Sequence, residues 1–159
     1  MANWARGRFD IKNPDKYLGN RIPIYRSSWE LAFMKTCDEN PYILKWANEN
    51  IKIPYRNPFT GKYTIYVPDF FIAYLDKNGK QHNELIEVKP KNQSSFAEAK
   101  NSKKDKAYVV LNYAKWEAAH NWCKQNGITF RVINEDDIFH TGKRRWWDLS
   151  TFLKQVVLV

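Results

Sequence analysis

The chain has two cysteines, Cys37 and Cys123, and three histidines among 159 residues. The cysteines lie far apart, and the first residues, Met-Ala-Asn-Trp-Ala-Arg-Gly-Arg, lack the apolar region of a signal peptide. Both thiols are therefore expected to be free and reduced, buried on helices. The absence of a Cys/His cluster argues against a structural zinc site. His82 and His120 have no second ligand at useful spacing and are expected at the surface. No apolar run approaches the ~20 residues of a membrane span, and there is no internal repeat. His140-Thr141-Gly142-Lys143 is not a phosphate loop, because the upstream glycine of that motif is missing.

What the chain does have is aromatics and positive charge. Seven Trp, nine Tyr and nine Phe make up 16% of the residues, which argues against disorder. The length suits one domain able to bury a core. A net charge of +9 suggests a polyanionic partner, with nucleic acid first and an anionic membrane surface second.

The most informative stretch runs from Val67 to Lys89. Tyr63 to Leu75 is rich in Tyr, Ile, Val and Phe and predicts a strand. Lys77-Asn78-Gly79 is a turn, and Leu85 to Lys89 is the returning strand. If the loop is those three residues, with Gly79 in the left-handed conformation, Asp76 faces Lys80 and Asp69 faces Glu87. Lys89 shares the face of Glu87, since side chains alternate. A two-residue Asn78-Gly79 loop would instead pair Asp69 with Val88 and turn Glu87 away. Pro68 cannot donate to a ladder, so a bend or bulge is expected there. Two facing carboxylates are destabilising unless compensated. A divalent cation is the usual compensation, and hard oxygen ligands with retained waters suit magnesium.

The flanks are read in order. Residues 1–26 carry Arg6, Arg8, Lys12, Lys16, Arg21 and Arg26 and are expected to form a basic, irregular arm, either gripping phosphate or solvated. Trp4 and Phe9 suggest that part of it packs. Ser27-Ser28-Trp29-Glu30 is a capping box opening a helix with Glu30, Phe33, Met34 and Cys37 on one face. Glu30 therefore has two candidate roles, as a cap or as an acid facing the site. Asn40-Pro41 ends that helix. Ile43 to Asn50 is a short helical or extended link, Ile51 to Tyr55 the first strand, and Asn57 to Gly61 a turn into the second. Ser94 to Asp105 is either a lid or an ordinary solvated segment. A helix over 104–126, with a stripe from Ala107 through Leu111, Ala114 and Ala118 to Trp122, stops at Gly127. Its Lys115 reaches phosphate or is simply solvated. Ile128 to Ile133 is a strand reached by a crossover. A turn into a short helix is expected at Glu135 to Phe139. Lys143-Arg144-Arg145-Trp146-Trp147 either grips a DNA backbone or packs its tryptophans at the start of a last helix, Asp148 to Val157.

Pro68-Asp69 and Glu87-Val88-Lys89, with 17 residues between the acids, resemble the PD-(D/E)xK nuclease superfamily. The segments Ala5 to Phe9, Tyr25 to Glu30, Val67 to Phe70, Ile86 to Pro90 and Asn112 to Ala119 also resemble the head completion nucleases of T4-like tailed phages, and the core resembles the TnsA transposon endonucleases. The resemblance implies an α/β, restriction-endonuclease-like fold, with a mixed central β-sheet flanked by helices. The arm 1–26 would precede a single nuclease domain, 27–159. It implies a magnesium-dependent deoxyribonuclease, with manganese as a substitute, acting as phage heads are completed. Asp69, Glu87 and the Val88 carbonyl would hold the metal, and Glu30, Asp69, Glu87 and Lys89 would be catalytic. DNA contacts are expected from Arg6, Arg8, Arg26, Lys91, Lys115, Arg144 and Arg145. The implied partners are double-stranded DNA or its ends and phage head or neck proteins, with no membrane; the implied location is the host cytoplasm during assembly, or the virion. The alternative is a DNA-binding or neck-assembly protein that keeps the fold without activity. A membrane-surface module does not explain the acidic cluster.

Overall fold

The computed structural model describes residues 6–90 and 103–134. A mixed four-stranded sheet organises it, in the order β3 (Ile43–Asn48), β6 (Phe70–Leu75), β7 (Gln81–Val88), β8 (Thr129–Ile133). β3, β6 and β7 are antiparallel neighbours, and β8 lies parallel to β7. The parallel step is made by the long helix α2 (Lys103–Gln125), closed by Gly127 at φ 67°. With helices packed on such a sheet, the α/β reading holds.

The β6–β7 register decides the site. Phe70 pairs with Ile86 and Leu75 with Gln81. Gly79 has φ 78°, and Asp76 N donates to Lys80 O at 2.9 Å, so the three-residue loop is the one formed. Continued by one step, this register sets Asp69 opposite Glu87.

The faces of the sheet bury different clusters. On one, Phe70, Ile72, Tyr74, Ile86, Val88 and Ile133 pack with Phe33, Met34 and Cys37 of α1 (Ser28–Glu39). Each such Phe or Met contributes about 1.5–3 kcal/mol by leaving water. On the other, Leu85 packs with Ala119 and Cys123 of α2 and with Ile53, Tyr55 and Tyr66. Both thiols are buried, as expected, and burial pushes the Cys123 thiol up to about 11.

Several expectations are corrected. The run Tyr63 to Leu75 is not one strand. It breaks at Val67-Pro68-Asp69, where Pro68 withholds its N–H. The first half, β5 (Tyr63–Tyr66), pairs instead with β4 (Ile53–Arg56) in a separate hairpin, so Ile51 to Tyr55 contributes no strand to the central sheet. The supposed link after Asn40 is the sheet strand β3, a bulge between Ile43 and Lys45 having blurred its alternation. The arm is not irregular throughout. β1 (Gly7–Arg8) pairs with β2 (Ile24–Tyr25), and Phe9 is buried edge-on against Trp46, 5.9 Å between ring centroids. Lys16 caps the end of α1 through the carbonyls of Asp38 and Asn40, and Lys12 pairs with Glu39. His82 is half-buried, stacked on Tyr74 and 2.8 Å from Asp76. On α2, Leu111, Ala114, Ala118 and Trp122 of the expected stripe pack half-buried on the core, the fully buried residues are Val109, Asn112, Ala119 and Cys123, and Ala107 is exposed. The expectations for Trp4, for most of Ser94 to Asp105, and for everything from Glu135 onward lie outside the described residues; Lys103 to Asp105 open α2.

Candidate active site

Asp69 stands where the chain leaves the hairpin and enters β6, and it is fixed on all sides. Its carbonyl accepts from Glu49 N at 2.9 Å and from Asn48 Nδ2 at 3.0 Å. Its Oδ2 accepts from Val88 N at 2.8 Å, and its own N–H donates to Glu87 Oε2 at 3.2 Å. Glu87, on β7, is 4% exposed, and Tyr66 donates its hydroxyl to the same Oε2 at 2.8 Å. The other oxygen, Oε1, lies 3.5 Å from Lys89 Nζ. Each carboxylate is thus anchored through one oxygen by protein donors. No hydrogen bond to Asp69 Oδ1 is among those described, and Glu87 Oε1 faces the ammonium.

The electrostatics follow from burial and crowding. Desolvation, then the charges of Glu87 and Glu30, hold the Asp69 carboxyl well above its ordinary value. Glu87 is raised chiefly by burial, against the pull of Lys89 and Tyr66. Glu30 is also raised, by burial first, and feels Glu87. Burial thus disfavours the charged form of all three acids, and on Asp69 the charges of Glu87 and Glu30 add to that.

Glu30 is seen in its capping role, and its carboxylate lies near enough to Asp69 to raise it. Ser27 Oγ accepts from Glu30 N at 3.1 Å, the first half of a capping box. The return bond goes from Arg26 N, not Ser27 N, to Glu30 Oε2 at 2.9 Å. The carboxylate is thereby held at the start of α1 while its charge acts on Asp69. Arg26 turns its guanidinium to Glu49, 3.0 Å away. Arg6 and Arg8 are exposed, while Lys91, Arg144 and Arg145 lie outside the described residues. Lys115 comes to the site. Its Nζ sits 5.9 Å from the Tyr55 ring centroid and 5.7 Å from that of Tyr66. Burial and then Lys89 press its pKa down, while Glu87 and Asp69 push it up.

This is the arrangement of a two-carboxylate, one-lysine centre on adjacent strands. Residues 40–135 match the family described as TnsA-like endonuclease N terminal. The chain is also 33% identical over 146 residues to the head completion nuclease of Enterobacteria phage T4, covering 86% of this chain and 95% of that protein. The chain belongs to the TnsA-like endonuclease family. The stretch matched to TnsA-like endonucleases holds Asp69, Glu87, Lys89 and Lys115, while Glu30 precedes it on α1.

Three supporting residues of this TnsA-like endonuclease were not found from sequence. Tyr66 was hidden in a run taken for one strand. Asn48 lay in the supposed link; it accepts from Ile24 N at 3.0 Å and donates to Asp69 O, tying the arm to the site. Glu49 adopts a left-handed φ of 49°, a cost of about 1–3 kcal/mol for a residue with a side chain, and places its N–H on Asp69 O. None of the three carries a spacing or motif that would single it out in the sequence.

Proposed function

We propose that this nuclease hydrolyses DNA phosphodiesters with the help of a divalent cation held by Asp69 and Glu87. The observation that carries it is the pair of buried carboxyls at facing positions, both raised chiefly by desolvation and each held by protein donors on one oxygen. Among the described residues no group of three or more His, Cys, Asp or Glu is placed to hold a metal ion, so the proposed site rests on the two facing acids. Two carboxylates and a backbone carbonyl fit a hard cation that keeps waters and shares substrate oxygens, which is how magnesium is usually bound. Asp69, Glu87 and the Val88 carbonyl would hold it, with manganese as a substitute. When bound, such an ion polarises a phosphoryl oxygen and lowers the pKa of water.

The chain's own groups supply the rest. Tyr66 and the Asp69 N–H keep the Glu87 carboxylate aimed. Lys89, 3.5 Å from Glu87, orients the attacking water or offsets charge developing on the phosphate. Lys115 contributes a second ammonium toward the same phosphate, and Glu30 adds to the negative field that attracts the cation. Arg6 and Arg8 contact flanking phosphates, as do Arg26, Lys91, Arg144 and Arg145 from the sequence reading, in a basic arm (1–26) and nuclease domain (27–159). By the likeness to the phage T4 protein, the substrate is double-stranded DNA or its ends during head completion, with head or neck proteins as partners, in the host cytoplasm or virion. No described helix is long and apolar enough to cross a membrane.

The test is incubation of linear and circular DNA with purified protein, with and without magnesium. Asp69→Ala and Lys89→Ala should each abolish magnesium-dependent cleavage while the protein stays folded. Wild-type rates in either folded variant reject the mechanism. DNA binding without cleavage by the wild type, indifferent to magnesium, would instead favour the assembly-protein alternative.

A further inference from the structure

We propose that the outer face of the β4–β5 hairpin is a ribbon that binds duplex DNA beside the cleaved phosphate; this rests on the nuclease reading above. The hairpin stands apart from the central sheet, and its two faces differ in kind. The inner face carries Ile53, Tyr55 and Tyr66, which are buried and pack with α2. The outer face carries the opposed pairs Pro54–Ile65 and Arg56–Tyr63. Tyr63 is 79% exposed, Ile65 54%, and Phe59 at the turn 61%. Large apolar side chains set at this exposure on a two-stranded ribbon do nothing for its own packing.

Charge selects the occupant. From Asn50 to Tyr66 there is no Asp or Glu, while Lys52, Arg56 and Lys62 are all exposed. A surface built to meet another protein is depleted of lysine at its core. Basic side chains beside exposed aromatic and aliphatic ones instead suit phosphates flanking sugars and bases. A two-stranded ribbon also has the width that a major groove of about 12 Å admits.

Position supplies the second, independent argument. Tyr66, at the inner end of β5, holds Glu87, and Asp69 follows three residues later. Tyr63 is six residues from Asp69, so at about 3.3 Å per residue the exposed face begins at most ~20 Å from the acids. On a duplex rising ~3.4 Å per base pair, that is within about six base pairs of the cut.

The experiment uses the full chain and a short fluorescent duplex, with calcium replacing magnesium so that binding is read without cleavage. Wild type is compared with Lys52→Ala, on the side of Pro54 and Arg56, and with Tyr63→Ala. Arg56 is left in place, because its Nε donates to Gly61 O and braces the turn. Lys52→Ala should lower the magnitude of the slope of log K against log salt by about 0.9, one lost phosphate contact. Tyr63→Ala should weaken binding with the slope unchanged. With magnesium restored, both should raise KM and leave kcat near wild type, the mark of binding that is equal in ground and transition states. Cleaving wild type beside variants with unaltered slope, affinity and KM overturns this inference alone. So does sedimentation showing a dimer that Tyr63→Ala dissociates while DNA binding stays intact, which would give the face to a second copy. A wild type that neither binds nor cuts DNA overturns the nuclease reading and this inference with it.

Discussion

Tyr66 shows how a supporting side chain can hold one of the two acids in place. The Tyr66 hydroxyl is buried, and its proton is committed to Glu87 Oε2 at 2.8 Å. Burial and the neighbouring carboxylates raise its pKa, so it stays a donor. Tyr66→Phe keeps the ring that packs with Ile53 and Leu85 but leaves Oε2 with the longer bond from Asp69 N alone. Lost supporting bonds to a metal-holding carboxylate typically cost 10–100-fold in metal affinity or activity. Cleavage by Tyr66→Phe should fall by about that factor at low magnesium and recover part of it as magnesium rises. Equal rates at every magnesium concentration would show that Glu87 is aimed by other contacts. The sequence could propose Asp69, Glu87 and Lys89 because an acid pair with a lysine has a recognisable spacing. It could not propose Tyr66, since one tyrosine in an aromatic run carries no spacing of its own.

At the scale of elements, legibility followed the strength of local signals. The β6–β7 hairpin could be registered from sequence because Gly79 fixes the loop length, and loop length fixes every pair behind it. α1 could be read because Ser27 and Asn40-Pro41 mark both ends. β3 could not, because its burial alternation is interrupted by the bulge after Ile43 and its partner β6 is distant in sequence. For the hairpin β4–β5, composition says strand but not which sheet, and it forms a sheet of its own. On α2 the stripe of Leu111, Ala114, Ala118 and Trp122 does pack on the core, but the most buried line beside it includes Asn112, a polar residue that hydrophobic periodicity discounts.

Two predictions belong to elements. Glu30 links the start of α1 to the acids, and Glu30→Gln separates its roles. Gln keeps an acceptor for Arg26 N, so stability should change by less than the ~1 kcal/mol of a lost cap. If the charge matters, magnesium affinity and cleavage should fall while Tm hardly moves; near-normal cleavage returns Glu30 to capping alone. Between β7 and β8, Arg131 Nη2 meets the buried Glu84 Oε1 at 3.0 Å. Arg131→Ala strips that carboxylate of its charge partner, and breaking a buried pair from one side costs about 3–5 kcal/mol. Denaturant unfolding should show a loss of that order, and a change under 1 kcal/mol would mean that water reaches Glu84.

At the scale of the whole molecule, the acids make stability depend on pH and on metal in opposite senses. Asp69 and Glu87 have folded pKa values above the ordinary 3.8 and 4.5. Between the ordinary and the raised values the folded protein holds more protons than the unfolded chain. Their contribution is therefore most favourable below the ordinary values and is lost as pH rises through the folded ones. Asp69→Asn removes one such charge yet keeps an acceptor for Val88 N. In chelator at neutral pH the variant should melt at or above the wild type, and the difference should vanish below pH ~4, where Asp69 is protonated anyway. Magnesium should then act on the wild type by mass action. At about 100 times its Kd it adds ~2.7 kcal/mol, or ~5–10 °C at ~2–4 °C per kcal/mol for a chain of this size. The variant should lose most of that gain together with cleavage. If Asp69 instead served mainly to pair with Lys89, removing its charge would lower the melting temperature in chelator and leave the magnesium gain equal in both proteins. Thermal melts of the two proteins, in chelator and in excess magnesium across this pH range, decide between a site waiting for a cation and an ion pair that needs none.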